Sequence, residues 1–383
     1  MLIGIDGIPL RDIKTGIGHY TFELAKSLAL ASPADQFEII SPFPFLTVNQ
    51  SEDAQEAWPP NLRAAQVKVN LIERNWWTVG LPRYLKRRSL DLFHGTNYDI
   101  PLWKRCPTVL TIHDLSPLLF PDTHKARHVL RARRRLPLMA RTATQIVTPS
   151  ESVRHEVIEH LQVSREKVTA IPEAARAIFR PLPPEQTVET RKRLGVEDDF
   201  LLFVGTIEPR KNLIVLLRAY RDLLSATELR PQLVIAGKKG WLTDRLFGLV
   251  QELGIEERVN FTGYLSDDEL SALYSSCRIF IYPSIYEGFG LPPLEAMACG
   301  APVIASSIPS FREVLGGAAQ LVAPDNVDGL AGSIITLLGD RNERQRLASA
   351  GPARATNYSW DRTAELMLGV YREACERHDR ERK

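Results

Sequence analysis

The chain has 383 residues, of which 44% are hydrophobic and 25% charged, and 48 basic residues balance 46 acidic ones. This length predicts two or more domains with sizeable cores, and the composition is typical of globular proteins. The near-neutral charge argues against nucleic acid as a partner, and four scattered cysteines argue against a zinc site or a disulfide scaffold.

The first half alternates short apolar runs with helical patterns. Strands are expected at 2–6, 37–40, 91–94, 108–112 and 145–147, and a helix at 19–30. Asp6 interrupts the first apolar run and no basic residue precedes it, so the sequence predicts no signal peptide. No apolar run approaches 18 residues, so no membrane span is expected.

A proline-rich stretch at 172–185 is typical of a linker between domains. After it the alternation resumes, with strands expected at 200–204, 233–235, 259–261, 279–282, 303–305 and 320–322. Helices are expected at 212–224 and 266–276, from around Leu291 to Pro293 onward, and at 360–382. Ser266 and Glu269 stand in capping-box register, and Gly300 stands where a C-cap glycine would.

Strands that alternate with helices predict an α/β fold with two doubly wound, Rossmann-like parallel-sheet domains. The predicted boundaries are 1–175, 176–358 and a C-terminal helix at 359–383 that returns to the first domain. Ligands of such folds bind at the carboxyl ends of the strands, so we expect a cleft between the domains.

The segment 286–295 directly follows a predicted strand and opens a helix. Glu287 and Glu295 flank glycines and prolines with seven residues between them, and we expect both to line one pocket. Carboxylates accept pairs of hydroxyl hydrogen bonds, as sugars and riboses offer. The helix start is expected to bind an anion or a hydroxyl group. A solvent loop and a surface glutamate are the competing interpretation.

Two basic residues, Arg210 and Lys211, follow the strand that begins the second domain, just after Gly205. A pair of cations at a helix N-terminus predicts a diphosphate site. In the first domain, Gly16 and Gly18 predict a tight turn at a helix start that could hold a phosphate. That loop is not GxGxxG, which disfavours a dinucleotide site.

His113 ends a predicted strand of the first domain, where its imidazole could bond a sugar hydroxyl or a phosphate. His94 ends another strand and is a weaker candidate. Residues 124–141 are rich in arginine, contain no acid and are interleaved with leucines. This pattern suits an anionic membrane surface or a lipid diphosphate, although a solvated helix face would look similar. Its candidate acceptor or membrane residues are Arg131, Arg133, Arg134 and Arg135.

These segments together resemble the retaining glycosyltransferases of the GT4 family, which have the GT-B fold. The resemblance covers nearly the whole chain and is most specific at the Glu287–Glu295 element. It implies that Glu295 binds the donor ribose, that Glu287 contacts the donor sugar, and that Arg210 and Lys211 hold the diphosphate. His113 is then expected near the reacting centre. The implied catalytic residues are His113, Glu287, Arg210 and Lys211, and the donor-binding residues are Gly16, Gly18, Gly205, Arg210, Lys211, Gly288, Phe289, Gly290, Leu291 and Glu295.

The N-terminal loop and residues 236–241 are similar to those of bacterial polysaccharide mannosyltransferases. The resemblance implies transfer of a hexosyl unit, best a mannosyl unit from GDP-mannose, to a glycan or a lipid-diphosphate-linked oligosaccharide. The sequence has no Asp-x-Asp pattern, so we expect neither a metal nor a cofactor. The expected location is the cytoplasm, with peripheral contact at the inner face of the plasma membrane.

Several alternatives stay open at this point. An epimerase or phosphorylase could use the same scaffold on a nucleotide-sugar. A non-enzymatic sugar-nucleotide-binding module would bind the donor without turnover. A dehydrogenase is disfavoured by the imperfect dinucleotide motif.

Overall fold

A computed structural model describes residues 1–12, 16–45, 58–103 and 105–382. The chain divides into two compact units. The first comprises Met1–Leu118, Arg127–Glu173 and Ser359–Lys383, and the second comprises Leu119–Ala126 and Ala174–Tyr358. The chain therefore passes four times between the units, whereas the predicted boundaries after residues 175 and 358 give two passages.

The first unit is built on a seven-stranded parallel sheet with strand order β3-β2-β1-β4-β5-β6-β7. Its strands are buried on both faces at the centre, as all-parallel sheets require. They are β1 (Leu2–Asp6), β2 (Gln36–Ser41), β3 (Leu62–Gln66), β4 (Leu92–Gly95), β5 (Thr108–Thr111), β6 (Gln145–Thr148) and β7 (Val168–Ala170).

The second unit contains a six-stranded parallel sheet with strand order β10-β9-β8-β11-β12-β13. The strand order reverses between β8 and β11, and such a reversal is where doubly wound folds bind ligands. The strands are β8 (Phe200–Val204), β9 (Gln232–Ala236), β10 (Val259–Gly263), β11 (Ile279–Tyr282), β12 (Val303–Ser306) and β13 (Gln320–Val322).

Helices connect the strands in both units. They are α1 (Gly16–Ala31), α2 (Leu81–Arg88), α3 (Ser116–Leu119), α4 (Ala126–Thr142), α5 (Glu151–Leu161), α6 (Glu185–Arg193), α7 (Leu213–Ala226), α8 (Asp244–Glu252), α9 (Asp267–Ser276), α10 (Leu291–Ala298), α11 (Pro309–Val314), α12 (Val327–Gly339), α13 (Arg341–Ala355) and α14 (Trp360–Arg382). In the part of the chain that the structure describes, no helix is long and apolar enough to cross a membrane.

The predicted α/β fold class is confirmed, and the strands 2–6, 200–204, 279–282 and 320–322 have the predicted bounds. The sequence prediction missed β3 and β7. Both are edge strands of the first sheet, and β3 has a single buried residue while β7 has only three residues. Edge strands carry little of the apolar pattern by which buried strands are recognised.

Two predicted helix signals are present in the second unit. Ser266 and Glu269 form the capping box at the start of α9. At the end of α10, Gly300 adopts φ +79° and donates its N–H to Met297 O, while Ala301 donates to Ala296 O. This pair of bonds is a Schellman motif, which satisfies the last carbonyls of the helix.

The C-terminal helix α14 packs against α1 within the first unit. His94 of β4 links α14 to β5 of the sheet. Its Nδ1 lies 2.7 Å from Tyr371 Oη and its Nε2 lies 2.7 Å from Thr111 Oγ1. Burial lowers the pKa of His94 to about 3, so the ring is neutral. His94 is therefore a satisfied structural histidine and not a ligand-binding one.

Residues Leu119–Ala126, which we call the strap, follow the first unit in sequence but pack within the second. Phe120 packs against Tyr286 with ring centroids 5.0 Å apart. Trp241 Nε1 donates a hydrogen bond to Thr123 O at 2.8 Å. The strap thus contacts the loop that precedes Glu287 and the loop that follows β9.

Candidate functional site

The candidate site of the second unit lies where the loops after β8 and β11 meet. These two strands are neighbours at the reversal of strand order, so their loops leave the same edge side by side. A short 3-10 turn at Pro209–Lys211 ends in Asn212, whose left-handed φ of +58° turns the chain into α7. The Asn212 side chain donates to Pro283 O at 3.1 Å and so joins the two loops.

Arg210, Lys211 and Glu287 form one cluster at this position. Lys211 Nζ lies 2.6 Å from Glu287 Oε1, and Arg210 Nη1 lies 2.9 Å from Glu287 Oε2. Lys211 Nζ also bonds Tyr282 Oη at 2.7 Å, and Arg210 Nη2 bonds Glu208 Oε1 at 2.7 Å. The structure therefore brings together three of the residues that the sequence singled out.

Two cations and two carboxylates make this cluster neutral overall, whereas the sequence suggested a concentrated positive charge. Burial would raise the pKa of the Glu287 carboxyl, but Arg210 and Lys211 outweigh burial and lower it to about 2. Burial lowers the pKa of the Lys211 ammonium, although Glu287 opposes that shift. Glu208, which sequence reasoning missed, supplies the second negative charge at 7% exposure.

Glu295 lies in a different environment from Glu287, although both were expected to line one pocket. Its Oε1 is 3.7 Å from Arg176 Nε, and Tyr274 Oη is 3.5 Å from its Oε2. Arg176 also pairs with Asp267, with Nη2 2.9 Å from Oδ1. Burial raises the pKa of Glu295 to about 7, and Arg176 opposes the shift only in part.

The residues between the two glutamates contribute backbone more than side chains. Phe289 is 4% exposed and packs edge-on against Tyr358, so its ring belongs to the core. Gly290 has φ +102°, and a Cβ there would lie 2.5 Å from Phe311 Cε1. Gly288 is buried, and Leu291 is half-buried as the first residue of α10.

The start of α10 has few free hydrogen-bond donors on its backbone. Pro292 and Pro293 occupy its first turn and have no N–H group. Leu294 N–H is already bonded to Gly290 O at 3.3 Å. The prolines that favour the helix therefore remove two of its donors, and the anion or hydroxyl site expected at this helix start stays a prediction.

Gly205 directly follows β8, and its N–H donates to Ala236 O at 2.9 Å, so that donor is already used. The loops after β8 and β9 approach each other closely here. A Cβ on Gly237 would lie 2.0 Å from Gly205 O, and Gly237 has φ +143°. Only glycine permits that approach.

In the first unit, Gly16 and Gly18 lie within the first turn of α1, three residues earlier than the predicted helix start. Both glycines are helical, and the tight turn expected at the helix start stays a prediction. The preceding residues 13–15 lie outside the described part of the chain. Because first-turn N–H groups lack intrahelical partners, the phosphate hypothesis for Gly16 stays a prediction.

His113 follows β5 and is buried. Its Nε2 lies 2.8 Å from Thr96 O, and its Nδ1 lies 3.2 Å from Glu173 Oε1. Burial would lower the pKa of His113, but the Glu173 carboxylate outweighs burial and raises it. Sequence reasoning missed Glu173, which lies 60 positions further along the chain in the proline-rich stretch.

The basic helix α4 divides into paired and outward-facing arginines. Arg131 Nη2 lies 3.3 Å from Asp99 Oδ2, and Arg135 Nη2 lies 2.6 Å from Asp99 Oδ1. Arg133 and Arg134 are exposed. Two of the four candidate acceptor or membrane residues therefore also make an ion pair within the unit.

Among the described residues, no group of three or more His, Cys, Asp or Glu side chains is arranged to hold a metal ion. A pocket of about 230 Å³ lies beside the cluster, next to Glu208 and Asn212, and is walled by Leu242 and Leu246. Arg210, Lys211 and Glu287 do not line it, but Glu208, which bonds Arg210, does, so the pocket borders the charged cluster.

Comparison with known proteins agrees with this architecture. Residues 15–175 match the Glycosyltransferase Family 4 model, and residues 186–354 match the Glycosyl transferases group 1 model. The O-antigen chain mannosyltransferase B of Escherichia coli is 30% identical over 378 residues, which is 95% of this chain and 97% of that protein. The serotype-specific mannosyltransferase WbdA of E. coli is 32% identical over 287 residues, which is 72% of this chain but 35% of WbdA.

Solved structures share the fold at lower identity. Sucrose-phosphate synthase from Thermosynechococcus elongatus superposes with a TM-score of 0.75 at 22% identity, covering 97% of this chain and 98% of that one. WaaG, a glycosyltransferase involved in lipopolysaccharide biosynthesis, gives 0.72 at 15% identity, covering 97% and 99%. The fold is GT-B, and the protein is a glycosyltransferase. The chain belongs to the GT4-type glycosyltransferase family, as the motifs predicted.

Proposed function

We propose that this glycosyltransferase moves a mannosyl unit from GDP-mannose, with retention, to a glycan or lipid-diphosphate-linked oligosaccharide in bacterial surface polysaccharide synthesis. The observation that carries the donor side is the Arg210–Lys211–Glu287 cluster at the reversal of strand order. The mannosyl assignment is supported by the O-antigen chain mannosyltransferase that shares 30% identity over the whole length.

We propose that donor binding changes the hydrogen-bond partners of Glu287, Arg210 and Lys211. The cations are neutralised by Glu208 and Glu287 before the donor arrives, so a diphosphate must compete for them. If Glu287 turns from Lys211 to the hydroxyls of the donor sugar, the ammonium and the guanidinium become available to phosphate oxygens. This one change of partners gives hydrogen bonds to the sugar hydroxyls and to the diphosphate oxygens.

The proposed reaction needs the bond between the sugar C1 and the phosphate oxygen to break, which leaves a developing oxocarbenium ion. The acceptor oxygen bonds C1 on the same face, and its proton passes to the departing phosphate. Negative charge grows on the diphosphate, and Arg210 and Lys211 offset it without a metal. His113 of the first unit is the proposed residue for the donor sugar.

The donor is tested by thermal shift with GDP, UDP, GDP-mannose and UDP-glucose, followed by transfer assays. A ligand that binds only the folded state raises the melting temperature by mass action. At a concentration of 100 times its Kd it adds about 2.7 kcal/mol to the free energy of unfolding. We expect GDP and GDP-mannose to stabilise the protein more than the uridine compounds. Stabilisation by UDP-glucose alone would overturn the donor assignment.

The same assay separates the other reactions of this scaffold. With donor alone, an epimerase would produce an isomeric nucleotide-sugar, and with inorganic phosphate a phosphorylase would produce a sugar phosphate. We expect neither product. Release of GDP that requires an acceptor glycan is the expected result.

Peripheral membrane contact is proposed for one stripe of α4. At 100° per residue, Arg127, Leu130, Arg134, Leu138 and Arg141 share a single face. All five are exposed, with Leu130 at 52% and Leu138 at 46%. Arginines alternating with leucines suit an anionic bilayer surface, which takes the charge and the apolar side chains together.

Replacing Arg127, Arg134 and Arg141 by glutamine should weaken binding to vesicles that contain anionic lipid by about 100-fold, since each basic residue near such a surface contributes about 1 kcal/mol. Vesicle co-sedimentation measures the effect. The matched control neutralises Lys192, Arg218 and Arg341, which are exposed in the second unit. Equal binding by both variants would contradict the proposed surface.

A further inference from the structure

The carboxylate Glu173 contacts the histidine that the proposed function places at the donor sugar. Glu173 lies three residues beyond β7, at the last position before the chain leaves the first unit. It is 5% exposed, and its Oε1 lies 3.2 Å from His113 Nδ1. The preceding carbonyl, Pro172 O, accepts a hydrogen bond from Thr363 Oγ1 of α14 at 2.8 Å. This hydrogen bond therefore holds the backbone next to Glu173 against α14 in the first unit.

Both nitrogens of the His113 ring are engaged. Thr96 O, 2.8 Å from Nε2, is a carbonyl oxygen and can only accept, so Nε2 carries a proton. Nδ1 faces the Glu173 carboxyl, and a carboxylate at that position requires a second proton, on Nδ1. With both protons in place, His113 is an imidazolium ion and has no lone pair with which to act as a base.

The ring is also held sterically. Tyr20 packs edge-on against it with centroids 4.7 Å apart, and Tyr98 does so at 5.9 Å. Such contacts fix the plane of the ring, while the two hydrogen bonds fix its rotation. Five titratable groups face or neighbour this imidazole. They are Tyr20 of α1, His94 of β4, Tyr98 of the loop after β4, Asp114, which follows His113 in the sequence, and Glu173 of the segment after β7.

We propose that Glu173 is a positioning residue that keeps His113 doubly protonated and fixes its ring for glycosyl transfer. This inference rests on the proposed function, because it assumes that His113 acts on the donor. A cationic His113 offsets negative charge that develops on the leaving diphosphate, and it does so without transferring a proton. Glu173 acts only through His113.

The test compares Glu173→Gln, Glu173→Asp and the exposed control Glu166→Gln with the wild type. Glutamine keeps the shape but removes the charge that opposes the effect of burial on the pKa of His113, so that pKa should fall. Proton and nitrogen NMR of the His113 ring measures the titration directly. Rates of transfer from pH 6 to pH 9 measure its consequence.

We expect the alkaline limb of the rate profile to move to lower pH in Glu173→Gln, with about a tenfold loss of rate for each pH unit above the new pKa. Glu173→Asp should lie between that variant and the wild type, and Glu166→Gln should match the wild type. A uniform loss at every pH would indicate a merely structural role and overturn the proposal, as would an unchanged His113 titration.

Failure of the underlying function would look different. If the wild type transfers no sugar from any nucleotide-sugar, the proposed function fails, whatever the NMR titration gives. If transfer occurs and the His113 titration moves while the rate profile does not, His113 acts on the reaction by another means and the positioning role of Glu173 is excluded.

Discussion

Replacing Lys211 by methionine should lower the rate of glycosyl transfer by about 100- to 1,000-fold, the loss that follows removal of one charge-stabilising donor from an active site. Lys211 is 7% exposed, and its Nζ bonds both Glu287 and Tyr282. Methionine fills the same space without the charge, so the change isolates electrostatics from packing. Initial rates of nucleotide release in the presence of acceptor measure the effect.

The Lys211→Met variant should remain folded. Arg210 stays within 2.9 Å of Glu287, so the carboxylate keeps one cationic partner. We expect a stability loss of about 1–3 kcal/mol, typical of one lost buried hydrogen-bond partner. Lys192→Met, on the exposed face of α6, is the control and should leave the rate within about twofold. A rate for Lys211→Met within threefold of wild type would show that the diphosphate is held elsewhere.

Replacing Glu295 by glutamine should weaken binding of the donor nucleotide by about 10- to 100-fold, because a hydrogen bond to a charged group contributes about 1.5–3 kcal/mol. A carboxylate can accept two ribose hydroxyls, which is the role expected of Glu295, whereas an amide offers one oxygen. Isothermal titration of GDP at pH 8 measures the difference, with the exposed Glu252→Gln as the control.

The pH dependence of this site has a defined sign. Because the pKa of Glu295 is raised to about 7, the wild type should bind nucleotide more tightly as the pH rises from 6 to 8. Glu295→Gln should show no such gain. The folded state holds this proton more tightly than the unfolded chain, so its stabilising contribution is complete below about pH 4.5 and is lost as the pH rises through 7.

That linkage gives an independent check. The melting temperature of Glu295→Gln relative to wild type should be higher at pH 8 than at pH 5, since glutamine carries no charge to desolvate. If the difference in melting temperature between the two proteins were the same at every pH in this range, burial would not raise the pKa of Glu295.

The sequence predicted what depends on short-range pattern. Central strands were found from their apolar runs, and the capping box of α9 from the spacing of Ser266 and Glu269. Glu287 and the Arg210–Lys211 pair were found because each follows a central strand, and strand order then brings the two loops together. Edge strands β3 and β7 were missed because burial there is partial or the strand is very short.

Long-range partners could not be predicted in the same way. Arg176 and Glu173 lie in the proline-rich stretch, where no periodicity marks a side chain as buried. Arg176 meets Asp267 91 positions away, and Glu173 meets His113 60 positions away. Only the closure of each sheet creates these pairs. The neutrality of the cluster was also hidden, because the local sequence pattern does not mark Glu208 as the partner of Arg210.

The strap has a consequence for protein engineering. Exchanging the second unit between two such enzymes by joining their genes at a single site near residue 175 would leave behind eight amino acids, Leu119–Ala126, that belong to that unit. Tyr286 would then face a foreign aromatic partner, and the indole of Trp241 a foreign carbonyl. Hybrids in which the strap is exchanged together with the rest of the second unit should fold and express better than single-crossover hybrids.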